Sequence, residues 1–310
     1  MKSIIATKRT SNRRQFIALY LMMLPGLIYI VINNYLPMFG LVIAFKDFNY
    51  SKGIMGSDWI GLKNFEYLFK TTDALIITRN TILYNVVFIL LNLVIAVGIA
   101  ILLHEVKKKF LSRLYQSVIL LPYLISMVIV GYLVFAMLSL ETGFVNKTIL
   151  PLFGMSDISW YSESKYWPYI LTFVHIWKSA GYLCVIYLAA IIGIDPEYYE
   201  AATIDGASKW EQIKSITLPL ITPVITVMTL LQIGRIFYSD FGLFYQVPLN
   251  AGALQSTTNV IDTYVYRALM TLGDVGMSSA AGLYQSFVGF VLVLLSNYIV
   301  RKINSDNALI

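Results

Sequence analysis

The sequence predicts an all-α integral membrane protein with six transmembrane helices and both termini in the cytoplasm. Of its 310 residues, 58% are hydrophobic and only 13% are charged, whereas charged residues make up about a quarter of a soluble globular protein. The mean hydropathy of the chain is +0.70. Long apolar runs also alternate with short polar segments, the pattern expected of helices that cross a bilayer repeatedly.

The first span is predicted from Phe16 to Phe45, after a basic stretch and without the small-residue cleavage pattern of a signal peptide. Thirty helical residues would be about 45 Å long, which exceeds the roughly 30 Å hydrocarbon core of a bilayer. Asn33, Asn34 and Pro37 interrupt the apolar run. We therefore expect its end to emerge into water and to lead into a small extracytoplasmic cap, from Lys46 to Arg79.

Five further apolar runs predict the remaining spans. The third span is expected to bend at Pro122, and the fifth to follow a short helix that ends at Pro219. An apolar helical patch from Val260 to Leu269 is too short to span. The predicted spans are Thr81 to Leu103, Leu114 to Leu138, Pro168 to Ile194, Leu220 to Phe241 and Ser278 to Val300.

The distribution of lysine and arginine indicates the orientation of the spans. With the N-terminus in the cytoplasm, the inner segments hold 13 of these residues and the outer segments hold eight, while Lys178 and Arg235 fall within spans. Basic residues favour cytoplasmic loops. This orientation explains the net charge of +6 without a nucleic-acid partner.

Few residues suit a disulfide or a metal site. Cys184 is the single cysteine, so no disulfide can form within the chain. The two histidines, His104 and His175, are far apart in sequence and have no cysteine cluster beside them. We therefore expect no metal site.

The segment from Asp195 to Pro219 is predicted to form two helices joined by a hinge. Asp195 can cap a helix that begins at Pro196, because proline suits the first helical position. Gly206 ends it, since glycine adopts the left-handed conformation without steric cost. Ser208 and Glu211 have the spacing of a capping box for a second helix. Under the predicted orientation this segment is cytoplasmic.

The same segment carries a specific spacing of residues. Glu200-Ala201-Ala202 is followed after three residues by Gly206, and after nine more by Ile216-x-Leu218-Pro219. This pattern resembles the signature loop of the transmembrane subunits of binding-protein-dependent ABC importers. Adjacent alanines present a flat patch that can seat in a groove of another protein, and Glu200 adds one directional charge. A surface connector lying on the membrane is the alternative for such an amphipathic loop.

The resemblance implies a MetI-like permease core whose coupling helix docks on an ATPase subunit. The chain has no G-x-x-x-x-G-K-[ST] phosphate loop, so we expect no directly bound cofactor, and ATP and Mg belong to partner ATPase subunits. The family also implies a second, similar permease in a heterodimer, an external solute-binding protein and a location in the bacterial plasma membrane. The residues assigned to coupling are Glu200, Ala201, Ala202, Asp205, Gly206, Leu218 and Pro219.

The predicted layout has three parts. Residues 1–80 hold the N-terminus, the first span and the cap, residues 81–302 hold the five-helix core with the coupling loop 195–219, and residues 303–310 form a cytoplasmic tail. Within the core, Trp177-Lys178 with Gly181 and the stretch from Asp240 to Val247 look like the carbohydrate importers. The resemblance therefore implies an oligosaccharide as substrate.

Polar and aromatic residues in the fourth and fifth spans are candidates for the substrate path. A charge such as Lys178 near the bilayer centre is costly unless it faces protein or water, and a sugar path needs aromatic faces and hydrogen-bonding groups. A structural role in joining spans is the alternative for each, with Asp240 or Glu141 as possible partners of Lys178. The path candidates are His175, Trp177, Lys178, Tyr182, Gln232, Arg235, Tyr238 and Asp240.

Three other functions compete with a sugar importer. An ion-coupled carrier would need carboxylates within the spans, and the spans have almost none. A membrane glycosyltransferase would need an acidic or metal-binding cluster, for which Asp205 with Glu211 is a poor match. An importer of amino acids or peptides would share the loop, and only the resemblance of the last third of the chain to carbohydrate importers argues against it.

Overall fold

The computed structural model describes residues 2–303 and shows a mostly helical chain. Within these residues, five helices are long and apolar enough to cross a membrane, and the number is six if one bent pair counts as a single span. The five are Phe16–Phe45, Asp73–His104, Ser164–Ile192, Lys209–Ile233 and Val275–Lys302, and the pair is Lys109–Leu124 with Met127–Leu138. Of the predicted tail 303–310, all but Ile303 lies outside the described residues.

Fifteen α-helices and two short strands can be numbered in chain order within the described residues. The strands are β1 (Lys46–Asp47) and β2 (Asp58–Trp59). The helices are α1 (Lys2–Ile30), α2 (Gly53–Gly56), α3 (Lys63–Lys70), α4 (Thr72–His104), α5 (Lys109–Leu124), α6 (Met127–Leu138), α7 (Leu150–Leu152), α8 (Trp167–Ile192), α9 (Pro196–Ile204), α10 (Lys209–Gln212), α11 (Leu218–Ile233), α12 (Phe241–Gln246), α13 (Gln255–Thr258), α14 (Ile261–Arg267) and α15 (Val275–Ile303).

The described chain divides into two compact units. One contains the residues up to Glu66 together with Asp274–Leu283, and the other contains Tyr67–Gly273 and the residues from Tyr284 onward. In the first unit, α1 continues through a π-helical turn at Val31–Tyr35 into a 3₁₀ segment that ends at Phe45. The polar residues and the proline predicted to interrupt this run therefore change the pitch of the helix without ending it.

The cap that follows the first span is built on a small two-stranded sheet. Strands β1 and β2 pair antiparallel, and the rings of Phe45 and Trp59 stack with their centroids 5.6 Å apart. The side-chain amide of Asn64 donates to the main-chain oxygens of Ala44 and Lys46, both at 3.0 Å. These contacts fix the turn by which the chain leaves the first span.

Helices α4 and α8 form the centre of the second unit. Helix α4 begins nine residues before the predicted Thr81, because the Thr71 hydroxyl accepts a hydrogen bond from the Ala74 amide at 3.2 Å and caps it. Helix α8 crosses α5 at Gly181, where a methyl group would overlap the main-chain oxygen of Ile119. One buried core joins α4, α8 and α11, and its members include Ala96, Val97, Ala100, Leu183, Cys184, Tyr187, Leu188, Ile191 and Ile221.

The third span is broken into two helices, and the position predicted for its bend is wrong. Helices α5 and α6 meet at an angle of 95°. Pro122 lies inside α5, and the break falls at Ile125 and Ser126. The Ser126 hydroxyl accepts a hydrogen bond from the Ile129 amide at 3.4 Å and caps the second half. The predicted bend at Pro122 is thus a break three residues later.

The fifth span also differs from its prediction. Helix α10, a π-helical turn at Ile213–Thr217 and α11 form one helix from Lys209 to Ile233, so the helix does not stop at Pro219. The amide of Leu218 donates to the main-chain oxygen of Ile213, a wide turn that accommodates a proline lacking its own N–H. The span ends at Ile233 and not at the predicted Phe241.

The chain between the fifth and sixth spans folds into short helices. Helix α14 lies within the predicted patch and passes into a π-helical turn that Gly273 ends in the left-handed conformation, with φ of +68°. The last helix, α15, is longer at both ends than the predicted Ser278 to Val300.

Candidate functional site

Helix α9 is the first half of the predicted coupling loop, and its start follows the sequence signals. The Asp195 carboxylate accepts a hydrogen bond from the Glu197 amide at 3.0 Å, and Pro196 occupies the first turn. The predicted cap is therefore confirmed. Three residues, Gly193, Ile194 and Asp195, separate the end of α8 from the start of α9.

Gly206 ends α9 in the left-handed conformation, with φ of +81°. Its amide donates to the main-chain oxygen of Thr203 at 3.1 Å, and the amide of Ala207 donates to that of Ala202 at 2.9 Å. This pair of bonds is the Schellman pattern, which turns the chain sharply after a helix. The hinge predicted at Gly206 is confirmed.

The second half of the loop begins at the predicted capping box. The Glu211 carboxylate accepts from the Ser208 amide at 2.6 Å, and the Ser208 hydroxyl accepts from the Glu211 amide at 3.3 Å. Both bonds close on neighbouring residues, so the start of α10 is fixed by local chemistry. Because α10 is continuous with α11, the loop is joined directly to the fifth span.

Side-chain hydrogen bonds hold the two halves of the loop together. The hydroxyls of Tyr199 and Thr217 are 2.9 Å apart. The Gln212 amide is buried and donates to the Thr203 hydroxyl at 3.0 Å and to the main-chain oxygen of Ala207 at 3.3 Å. The loop is therefore a folded element and not a flexible connector.

The loop also contacts the end of α4. The Lys209 ammonium lies 3.2 Å from the Glu105 carboxylate, and the rings of His104 and Tyr199 are 5.9 Å apart. Both side chains of the ion pair are exposed, so its contribution to stability is small, about 0 to 1 kcal/mol. These contacts place the loop at the C-terminal end of α4.

The outer face of the loop exposes large apolar side chains. Tyr198 is 57% exposed, Trp210 is 70% exposed and Ile204 is 86% exposed. Large apolar side chains exposed on a surface are candidates for contact with a partner protein or with lipid. Ile213 and Ile216, which follow Trp210 in the same helix, are half-buried. The sequence signal for this exposed surface is the presence of bulky apolar residues on both sides of the glycine hinge.

The residues assigned to coupling share this surface in part. Glu200 and Ala201 are exposed, Ala202 is half-buried, and Asp205 and Gly206 are exposed at the hinge. Leu218 and Pro219 lie instead in the continuous helix, where Leu218 is half-buried. The signature thus divides into a surface part and a part that connects the loop to the span.

Lys178 lies on α8 and its side chain caps the C-terminal end of α5. Its ammonium donates to the main-chain oxygens of Pro122 at 3.3 Å and Tyr123 at 3.0 Å, and also to that of Ile125. These oxygens end a helix, where a positive charge is favoured by the helix dipole. The partners of Lys178 are carbonyl groups and not Asp240 or Glu141, the carboxylates considered from the sequence.

His175 contacts a different helix from Lys178, although the two are three residues apart. Its ring stacks on Phe88 at 3.7 Å, and its Nε2 lies 3.1 Å from the side-chain amide of Asn92. The Ser179 hydroxyl donates to the side-chain carbonyl oxygen of the same Asn92 at 2.8 Å. His175 therefore joins α8 to α4, whereas Lys178 joins α8 to α5.

Two exposed tyrosines lie beside Lys178. The rings of Tyr123 and Tyr182 stack in parallel, 4.8 Å apart, and the Lys178 ammonium is 5.9 Å from the Tyr123 ring. Trp177, the neighbouring path candidate, lines a separate groove of about 660 Å³ between α6 and α8. The lining of that groove is almost wholly apolar, and it includes Leu133, Met137, Phe173 and Trp177. The candidates on α8 thus face three different surroundings.

The path candidates around the end of the fifth span are also separated. Gln232 is half-buried in α11, and Arg235 is exposed just beyond its end. The Tyr238 hydroxyl lies 2.8 Å from that of Ser286 on α15. The Asp240 carboxylate accepts from the Leu243 amide at 3.1 Å and caps α12. Arg235 and Asp240 therefore lie after the span, and Asp240 has a structural partner.

Comparison with known proteins identifies the chain. Residues 92–305 match the family model of the binding-protein-dependent transport system inner membrane component. The chain belongs to this family. The matched region includes the whole coupling loop and both α8 and α11, so the permease family accounts for the elements on which the site is built.

Relatives of this permease extend the match over nearly its whole length. It is 36% identical to the polygalacturonan/rhamnogalacturonan transport system permease protein of Bacillus subtilis (strain 168), over 93% of this chain and 89% of that protein. A crystal structure of a bacterial ABC transporter involved in the import of the acidic polysaccharide alginate contains a chain that is 32% identical, with a TM-score of 0.86 and coverage of 95% of this chain and 98% of that one.

A second solved structure shows a related permease in an assembly. It is the bacterial alginate ABC transporter in complex with an alginate pentasaccharide-bound periplasmic protein, and its matching chain is 32% identical, with a TM-score of 0.85. Coverage is 94% of this permease and 97% of that chain. The predicted helical permease fold is thereby confirmed.

Proposed function

We propose that this permease is the transmembrane subunit of an ATP-driven ABC importer that brings an oligosaccharide into a bacterial cell. The observation that carries the proposal is the folded loop from Asp195 to Pro219, which presents an exposed apolar surface at one end of the helices. Membership of the binding-protein-dependent family supports the importer. The relatives named for transport of polygalacturonan, rhamnogalacturonan and alginate support a carbohydrate as substrate.

The partners follow from the same proposal. An ATPase subunit would seat on α9, where Glu200 and Ala201 are exposed beside Ile204. One coupling helix per chain, with two ATPase subunits in the transporter, requires a second, similar permease. A solute-binding protein on the outside would deliver the saccharide, as supported by the relative crystallised with a periplasmic protein. ATP and Mg would be bound by the ATPase subunits alone.

The orientation of the spans is part of this proposal. Docking on an ATPase requires α9 in the cytoplasm, which agrees with the excess of basic residues in the inner segments. The plasma membrane is then the location. The N-terminal end of α4 faces the outside, because the loop contacts its C-terminal end at Glu105.

The substrate path is proposed to pass the exposed tyrosine pair on α5 and α8. Tyr123 and Tyr182 offer aromatic faces for a sugar ring, and the Lys178 ammonium lies beside them. Lys178 is half-buried and uses its hydrogens on the end of α5. Its proposed role is therefore to hold the broken span in shape next to the path.

The mechanism is alternating access. ATP binding closes the two ATPase subunits and displaces α9, and the fifth span moves with it because α10 and α11 are continuous. The joint between α5 and α6 provides a place where the third span can change its angle. The path then opens alternately to the outside and to the cytoplasm.

Co-purification tests the proposed assembly. The full-length chain, extracted in mild detergent from its own cells, should bring down an ATPase and a second permease. A Glu200→Lys variant should insert normally but lose the ATPase, because the exposed carboxylate is replaced by a cation at the docking surface. Lys214→Ala, an exposed change in the same loop, is the matched control. A chain that catalyses uptake without any ATPase would contradict the proposal.

A further inference from the structure

A pocket of about 410 Å³ with a partly polar lining lies beside the N-terminal end of α4. The coupling loop contacts the opposite end of this 33-residue helix, which is about 50 Å long at 1.5 Å per residue. In the proposed orientation the pocket therefore opens to the outside. Its polar lining includes Asp73, Gln255, Ser256, Asn259, Tyr264 and Arg267.

Arg267 is the cation of this pocket, and its hydrogen-bond partners are neutral. The guanidinium donates to the side-chain oxygens of Asn250 at 2.7 Å and Thr263 at 3.3 Å, and to that of Asn259. Among residues 2–303, no salt bridge joins it to a carboxylate. Burial lowers the pKa of the Arg267 guanidinium from its ordinary value, but an arginine remains charged near neutral pH. Its charge is thus held in the pocket without an opposite charge.

Two carboxylates lie near enough to be considered as partners. The Oδ2 atom of Asp262 accepts hydrogen bonds from the main-chain amide of Ser239 at 2.7 Å and from the side-chain amide of Gln285 at 3.4 Å. Asp73 lines the pocket but is exposed to solvent, where water and salt screen its charge. Neither compensates Arg267 by direct contact.

The rest of the lining suits a saccharide. Amide and hydroxyl groups of Gln255 and Ser256 can bond to sugar hydroxyls, and Tyr264 adds an aromatic ring. Three of the five guanidinium donors are used within the protein, which leaves two for a ligand. The volume is in the lower part of the range of small-molecule pockets, which is roughly 300 to 1,000 Å³.

We propose that this pocket binds a uronate unit of an acidic saccharide at the outer mouth of the permease, with Arg267 as the residue that binds the sugar carboxylate. The proposal rests on the carbohydrate function proposed above and narrows its substrate class to acidic saccharides. A guanidinium suits this ligand because its planar donors match the geometry of a carboxylate.

The test compares two probes of equal length, trigalacturonate and its neutral methyl ester. Binding of each is measured by isothermal titration calorimetry on the detergent-purified transporter without the external binding protein. Uptake is measured separately, in proteoliposomes supplied with that binding protein. The wild-type protein should bind trigalacturonate at least tenfold more tightly than the ester. Equal affinities, or no binding of trigalacturonate up to 10 mM, would overturn the proposal.

Two variants separate recognition from folding. Arg267→Gln removes the cation. Gln255→Glu replaces a side-chain amide of the pocket by a carboxylate of the same shape, and among the described residues the Gln255 side chain makes no hydrogen bond that this change would break. Each should weaken the binding of trigalacturonate at least tenfold more than it weakens the binding of the ester. Arg113→Gln, an exposed change on α5, is the charge control and should alter neither. Equal losses for both probes would assign Arg267 a purely structural role and overturn the proposal.

Two further outcomes identify the alternatives. If the variants lower the ATPase stimulation produced by the external binding protein without saccharide, the pocket serves protein docking and the uronate proposal falls. If the transporter takes up the neutral ester normally and never distinguishes the two probes, carbohydrate import stands and only the acidic specificity fails. Uptake of neither probe, with trigalacturonate still bound through Arg267, would remove the import function and retain the site.

Discussion

The ammonium of Lys178 lies 3.0 Å from the main-chain oxygen of Tyr123 and joins the fourth span to the broken end of α5. A Lys178→Met change keeps the length of the side chain but leaves three carbonyl groups without their donor. Two of these bonds are partly buried, and a buried group left unsatisfied costs about 1 to 3 kcal/mol. We therefore expect a lower thermal unfolding temperature in detergent, together with slower uptake.

Lys178→Arg is the matched control for this prediction, because it retains a cation that can donate to the same oxygens. It should keep most of the stability. If Lys178→Met leaves the unfolding temperature unchanged while uptake falls, the side chain acts on the substrate and not on the break, and the structural assignment is wrong.

The hinge at Gly206 gives a second prediction. Its φ of +81° is in the left-handed region, which costs a residue with a side chain about 1 to 2 kcal/mol. Gly206→Ala should therefore loosen the hinge and reduce uptake and ATPase coupling, while the amount of protein in the membrane stays the same. Gly252→Ala adds a methyl group in open space at a glycine without positive φ, and it should have no effect. Equal uptake by both variants would show that the hinge is not required.

The crossing of α8 and α5 gives a third prediction. A methyl group at Gly181 would overlap the main-chain oxygen of Ile119, so Gly181→Ala should destabilise the protein by about 1 to 3 kcal/mol. Gly98→Ala, on α4 with nothing within 4 Å, should instead stabilise it by about 0.5 to 1 kcal/mol, because alanine favours a helix over glycine. Thermal unfolding of both variants in the same detergent checks the opposite signs, and a shift in the same direction would contradict the close crossing of α8 and α5.

Two buried tyrosines give a fourth prediction. In the described part of the chain, the Tyr187 hydroxyl is buried without a hydrogen-bond partner, whereas the Tyr84 hydroxyl donates to the main-chain oxygen of Thr257 at 2.9 Å. Tyr187→Phe should therefore be neutral or stabilising, and Tyr84→Phe should cost about 1 kcal/mol. Unfolding temperatures measured side by side test this difference. A clear loss of stability in Tyr187→Phe would mean that its hydroxyl has a partner in the assembled transporter.

The coupling loop could be predicted from sequence because its structure is determined locally. Asp195, Gly206 and the Ser208 to Glu211 box each act on residues no more than five positions away. Caps and hinges of this kind are visible in a single sequence. The contacts that fix the loop to α4, such as that between Lys209 and Glu105, are 104 residues apart and were not visible.

The broken third span could not be located for the same reason. Pro122 signalled a disturbance, but the position of the break depends on Lys178, which is 53 residues from Ile125 in the chain. Likewise, Pro219 signals the end of a helix unless a wide turn precedes it, and the π-helical turn at Ile213–Thr217 has no sequence signal that we recognise. A sequence shows which residues disturb a helix more readily than how neighbouring helices accommodate them.

Path residues were the least predictable part. His175 and Lys178 have the spacing of one helix face, yet each contacts a different neighbouring helix. Helix α8 is surrounded closely enough that residues one turn apart meet different partners. Arg267 is not predictable as a site residue from the sequence either, because only the structure shows that its hydrogen-bond partners are neutral.

The continuous helix from Lys209 to Ile233 has a mechanical consequence. A rod of 25 residues is about 38 Å long, and no flexible joint separates its capped start from the bilayer. If the proposed ATPase subunit docks on the loop, a displacement of a few ångströms at that end is transmitted along the helix with little loss, so the stiffness of this helix determines how much of the displacement reaches the proposed sugar path.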